Sequence, residues 1–162
     1  MTEGDDAAGT RAKALALALE ELERAETAAE KRSWKAGLMA CRRMARISRL
    51  NAHERLLAAA LAQAVQALVH LAGTSPQRMR QLLELLDEAV DAQPHDLDLA
   101  HALHDVLAQL LANLDRAETL PERRRRALAR LGLTHARPLR DRFPAEEAFA
   151  RTCAALTRPA LR

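Results

Sequence analysis

Aromatic side chains are nearly missing from these 162 residues: there is no tyrosine, one tryptophan (Trp34) and two phenylalanines (Phe143 and Phe149). That scarcity removes the platforms on which proteins stack the bases of single-stranded nucleic acid. With few β-branched residues beside it, it also leaves little from which to build strands. Cysteine is as rare. Cys41 and Cys153 show no CxxC spacing, so they read as free thiols in a reducing compartment and predict a cytosolic protein. GxGxxG, GxSxG and phosphate-loop motifs are all absent, which removes the common nucleotide and acyl-transfer sites. The opening MTEGDDAAGT is acidic and has no apolar stretch, so no signal peptide is visible in it.

What is present is alanine and leucine, 36 and 29 residues of the 162. Both are strong helix formers, so the chain is predicted to be all-α. Capping signals divide it into seven helices. Residues 1–9 are expected to be disordered, and Thr10 to cap a helix running to Arg32 with Leu15, Leu19 and Leu22 inward. Ser33 caps a helix from Trp34 to Leu50. A central helix over 52–72 stops at Gly73, and Ser75-Pro76 starts another that ends before Pro94. Asp96 opens a helix to Leu114. Thr119 and Pro121 open a basic helix ending at Gly132. Residues 133–143 read as a loop, and Pro144 starts a last helix to Thr157.

The uncharged stretch Leu56–Gly73 has the length of a membrane span. Its Gln63, Gln66 and His70 fall on one helical face, however, opposite Leu57, Leu61, Ala64, Leu68 and Leu71. Much of its apolar content is alanine, which gains little from hydrocarbon. A packed core helix is expected, and no membrane span.

A shift of register that carries Leu15 onto Leu57 aligns LALAL, LAAAL and LAHAL, which begin at Leu15, Leu57 and Leu99. The same shift sets Ser33 on Ser75, and Met44 on Leu86 and Leu128. A composition so rich in Ala and Leu matches itself cheaply, so an irregular helical bundle is the competing architecture. The segment Leu82-x3-Leu86-x2-Ala89-x4-Pro94 resembles the second half of a tetratricopeptide repeat, and Leu99-Ala100-x2-Leu103 resembles the first helix of a following unit. Ala40-x3-Met44-x2-Ile47-x4-Ala52 is a second, weaker copy. The family period is 34, and a period of 42 also suits HEAT-type helix pairs. The resemblance covers residues 10–132 and implies a short right-handed α-solenoid of antiparallel helix pairs, six long helices plus a C-terminal one. Residues 133–162 would then be a loop and a capping helix of the same domain. It further implies a groove that holds a peptide or a partner helix.

Candidate chemistry is thin. Asp98, His101 and Asp105 share a helical stripe, but no HExxH spacing or cysteine partner accompanies them. That stripe lies opposite Leu99, Leu103, Val106 and Leu110 and is expected to face water, with His104 projecting elsewhere. Cys41 falls on the inward stripe with Gly37, Met44 and Ile47. No catalytic residue, metal or cofactor is therefore expected, and no enzyme. Arginine carries the polar signal. Seven basic residues and no acidic one lie between Lys31 and Arg49, and residues 116–142 hold nine arginines against Glu118, Glu122 and Asp141. Between these blocks, Glu84, Asp87, Glu88 and Asp91 make an acidic helix. The expectation is a scaffold, adaptor or chaperone-like module for a protein or peptide partner, with Arg42, Arg46, Arg49, Arg123 and Arg126 as its charged contacts. The alternative is a nucleic-acid-associated regulator using the same arginines on phosphates.

Overall fold

The computed structural model describes residues 3–52, 54–116 and 119–161. They form seven α-helices and no strand: α1 (Glu3–Glu30), α2 (Trp34–Leu50), α3 (Arg55–Ala72), α4 (Pro76–Ala92), α5 (Leu97–Arg116), α6 (Glu122–Arg142) and α7 (Glu147–Leu161). The caps explain most of these limits. The Ser33 hydroxyl accepts from Ala36 N–H, and the Ser75 hydroxyl accepts from Arg78 N–H with Pro76 behind it. Asp96 Oδ1 accepts from Asp98 N–H at 3.0 Å and Leu99 N–H at 3.2 Å. Gly73 ends α3 at φ 53°. The turn from α1 to α2 closes through Ser33 N–H to Ala28 O and Arg32 N–H to Ala29 O, the Schellman pattern, with Arg32 in the left-handed region where glycine is usual.

Several expected limits are different in the structure, among them the start of α3, which is Arg55 and not residue 52. Helix α1 begins at Glu3, so Thr10 lies inside it. Of the expected disordered segment 1–9, residues 1 and 2 lie outside the described residues and the rest is helical. The buried stripe of α1 is Ala14, Ala18, Glu21, Leu22, Ala25 and Ala28, which leaves Leu19, one position on from Ala18 and about 100° around, 51% exposed. Thr119 is not the cap of α6, because Pro121 stands at that position without a side-chain bond. Helix α6 also runs straight through Gly132 and Pro138, where the sequence pattern predicts a loop over 133–143. Leu133, Ala136 and Leu139 are buried on its far half, and that burial outweighs the one backbone hydrogen bond that Pro138 cannot make. Pro144 lies in the turn before α7, which starts at Glu147 and continues past Thr157 to Leu161.

Each helix touches only the next one and the next but one. Helix α1 packs on α2 and α3, α2 on α3 and α4, and so on to α5 on α6 and α7. Among the described residues no contact joins helices further apart. This ladder places α1, α3, α5 and α7 in one layer and α2, α4 and α6 in the other. Helices within a layer run parallel. Arg55 and Gln66 of α3 meet Asp98 and Asp105 of α5, and Asp87 and Asp91 of α4 meet His135 and Arg142 of α6. Helix α3 is one of three inner helices that each touch four others, in its case α1, α2, α4 and α5. Its Leu57, Leu61, Val65 and Leu68 are fully enclosed, each worth about 1.5–3 kcal/mol of burial. Among the described residues it alone has the length and apolarity of a membrane span, yet it carries the expected polar stripe of Gln63, Gln66 and His70 on its solvent side.

Candidate functional site

Helix α2 buries Gly37, Cys41 and Met44, so Arg42, Arg46 and Arg49, at spacings of four and three, turn to the opposite, solvent side. Beside them α4 presents Gln81, Glu84 and Glu88. Between the two helices lies a groove in two joined parts, about 370 Å³ and 320 Å³ in volume, which share Ala45, Arg49 and Glu88. Its floor is Ala45, Leu61, Leu85, Ala89 and Ala92. One wall is arginine and the other carboxylate. Arg49 Nη2 comes within 4.0 Å of Glu88 Oε2, both side chains more than half exposed.

The five predicted arginines fall into two separate sets. Arg42, Arg46 and Arg49 share the groove, whereas Arg123 and Arg126 lie on α6, which does not touch α2. Helix α4 stands between them, with Glu84 and Glu88 towards α2, Asp87 towards α6, and Asp91 both lining the α2/α4 groove and approaching Arg142 of α6. Asp87 pairs with the buried His135, and Asp91 lies 3.9 Å from Arg142. Arg123 is exposed on the outside of α6. Arg126 is half-buried, and its Nε is enclosed without a hydrogen-bond partner among the described residues.

Other grooves lie elsewhere on the surface, among them one of about 680 Å³ between α1 and α2, lined by Glu20, Glu23, Arg24, Lys31, Met39 and Arg43. On the other layer, Arg55 Nε binds Asp96 at 2.7 Å and Gln66 Nε2 donates to Asp105 at 3.1 Å across α3 and α5. These bonds cross-link a seam of about 220 Å³ over Ala59, Ala62 and Ala102. A cavity of about 600 Å³ between the C-terminal ends of α5 and α7 and the start of α6 mixes Arg125 and Arg158 with Asp115 and Glu122.

Cys41 is wholly enclosed, and burial pushes its thiol pKa up to about 12, which keeps it protonated and unreactive. Cys153 is buried and accepts a hydrogen bond from Arg140 Nη1 at 3.3 Å. His104 leaves the Asp98/His101/Asp105 stripe, as its position on the helix requires. Its Nε2 lies 2.7 Å from Thr152 Oγ1, and its ring packs 5.0 Å from that of Phe149. Among the described residues no three His, Cys, Asp or Glu side chains converge as metal ligands.

No family model, curated protein or solved structure matches this chain. Its own geometry therefore carries the functional reading, and one property of that geometry is invisible in sequence order. The helices of the first layer, α1, α3, α5 and α7, hold a formal charge of −5, while α2, α4 and α6 hold +9. Nor does the sequence single out His135 and Glu21, both buried, the first against the Asp87 carboxylate and the second ion-paired with Arg24 and Arg43. His135 lies in the stretch that Pro138 marks as a loop, and Glu21 stands among acidic neighbours that are all exposed.

Proposed function

We propose that this chain is a protein-interaction module, cytoplasmic and non-enzymatic, whose α2/α4 groove receives a partner helix or an extended peptide. The helical ladder acts as a short right-handed α-solenoid of the tetratricopeptide type. Helix limits support that reading of the architecture. Helices α2 and α4 each span 17 residues and follow the serine caps Ser33 and Ser75 directly. The step from the start of α3 at Arg55 to the start of α5 at Leu97 equals the step between those two serines.

The observation that carries the functional reading is the groove itself, with Ala and Leu on the floor, Arg42, Arg46 and Arg49 on one wall, and Glu84 and Glu88 on the other. Exposed ion pairs contribute only about 0.2–1 kcal/mol each, so the floor supplies affinity and the two walls set direction. The fitting partner is an amphipathic helix with carboxylates towards α2 and cations towards α4. A nucleic acid fits less well, because a phosphate backbone crossing from the arginines of α2 to those of α6 would pass the four carboxylates of α4.

The test is affinity capture from a cytosolic extract with wild type, R42E/R46E, E84R/E88R and R123E. Proteins retained by the wild type should be lost from both groove variants and kept by R123E. Unchanged retention by folded R42E/R46E and E84R/E88R would remove the groove from consideration. Retention of nucleic acid in place of protein, falling steeply with salt, would replace this reading by the other.

A further inference from the structure

The outward face of α1 carries Leu19, Glu23, Glu26 and Glu30, all exposed, and the three carboxylates make no ion pair among the described residues. The outward face of α6 carries Arg123, Arg130 and Arg137 at successive seven-residue steps, with the small side chains Ala127 and Thr134 between them. Arg123 and Arg137 likewise pair with no carboxylate among the described residues, and Arg130 donates only to Ala160 O, at 3.2 Å. Glu23 and Glu30 have that same seven-residue step, a rise of about 10.5 Å on either helix. One copy of the molecule cannot bring these faces together. Helix α1 closes one end of the ladder, α6 lies near the other, and they share no contact.

We infer that a second copy of this chain docks here, the Glu23/Glu30 ladder of α1 in one molecule lying antiparallel along the Arg123/Arg130/Arg137 ladder of α6 in the next. Antiparallel pairing places Glu30 against Arg123 and Glu23 against Arg130, with Glu26 beside the small Ala127 and Leu19 over Thr134. A parallel register that joins Glu23 to Arg130 and Glu30 to Arg137 sets Leu19 over the cation of Arg126 instead. The opposite formal charges of the two layers favour the same approach at long range. Because the two faces differ, the contact is heterologous, and each added copy leaves a fresh α1 and a fresh α6 exposed. Association is therefore open-ended, weak and sensitive to salt. It uses neither wall of the α2/α4 groove, so the two readings stand or fall separately.

Sedimentation equilibrium provides the test. At low salt the weight-average mass of the wild type should rise with concentration from 17.9 kDa to multiples of it. It should return to the single-chain mass in about 1 M salt, where the screening length is about 3 Å. E23Q/E30Q and R123Q/R130Q change side chains on exposed faces only, so both should melt like wild type and each alone should stay monomeric. Mixed in equal amounts, these neutralised variants should form a one-to-one pair and nothing longer, because the intact Arg123/Arg130 face of the first meets the intact Glu23/Glu30 face of the second. A wild type that is monomeric at low salt overturns the inference. So do folded variants that associate as before, or a mixture that fails to pair.

Discussion

Glu21 of α1 is 6% exposed and lies against Arg43 of α2, whose Nε donates to Glu21 Oε2 at 2.9 Å. Arg24, one turn along α1, donates to the other carboxylate oxygen. This buried carboxylate fixes how the first two helices meet, and its energetics are asymmetric. Removing a partner strands a charge in a poorly solvated place, whereas replacing the charge by an apolar group of similar size does not. Arg43→Ala should cost about 1–2 kcal/mol, moderated by Arg24. Glu21→Leu should lie within about 1 kcal/mol of wild type. Urea unfolding measures both, and a larger loss for Glu21→Leu than for Arg43→Ala would show that the carboxylate stabilises in its own right.

Gly37 in α2 faces Leu68 of the central helix so closely that a methyl group there would overlap both Leu68 methyls and lie 3.3 Å from its Cγ. Alanine should gain about 1 kcal/mol over glycine from helix propensity, while forcing extra volume into a packed core costs about 1–3 kcal/mol. Steric overlap should win, and Gly37→Ala should lower the urea midpoint. Gly132→Ala meets Leu156 Cδ1 at 2.9 Å and Cδ2 at 3.2 Å, a milder overlap, and should lose less. A Gly37→Ala protein more stable than wild type would mean that Leu68 swings aside freely.

Burial holds the His104 imidazole below its ordinary pKa. It outweighs the opposing pull of the Asp105 carboxylate and of a backbone hydrogen bond at Ala148, and the neighbouring His101 adds to it. The folded chain therefore binds this proton less readily than the unfolded chain. Its contribution to stability is complete above the ordinary histidine value of about 6.5 and is lost as pH falls from there through the lower folded value. Thermal melts on either side of that window should show a larger fall for wild type than for His104→Gln, which keeps a polar group towards Thr152. Equal falls would place the acid sensitivity at other histidines.

Much of the helical plan is legible because it is written locally. Ser33, Ser75, Gly73 and Asp96 act within one turn of themselves, and the apolar stripes of α3 and α5 follow from the 3.6-residue period. Where the local signal fails, packing overrules it. Gly132 and Pro138 carry the marks of a stop, yet Leu133, Ala136 and Leu139 bury themselves beyond them and hold α6 together. Hydrophobicity alone points Leu19 inward, although the narrow alanine stripe of α1 is the side that lies close to its neighbours.

Residue order alone is enough to make this protein helical, to set where most helices start and stop, and to collect arginine in two blocks with an acidic helix between. What those blocks face depends on how the helices pack. Arg49 of α2 reaches Glu88 of α4, and Asp87 of α4 reaches His135 of α6, in both cases across an intervening helix of the chain. Packing also sorts the helices into a negatively and a positively charged layer. Capping and periodicity act over a single helical turn, whereas electrostatic complementarity depends on which turns the packing brings side by side.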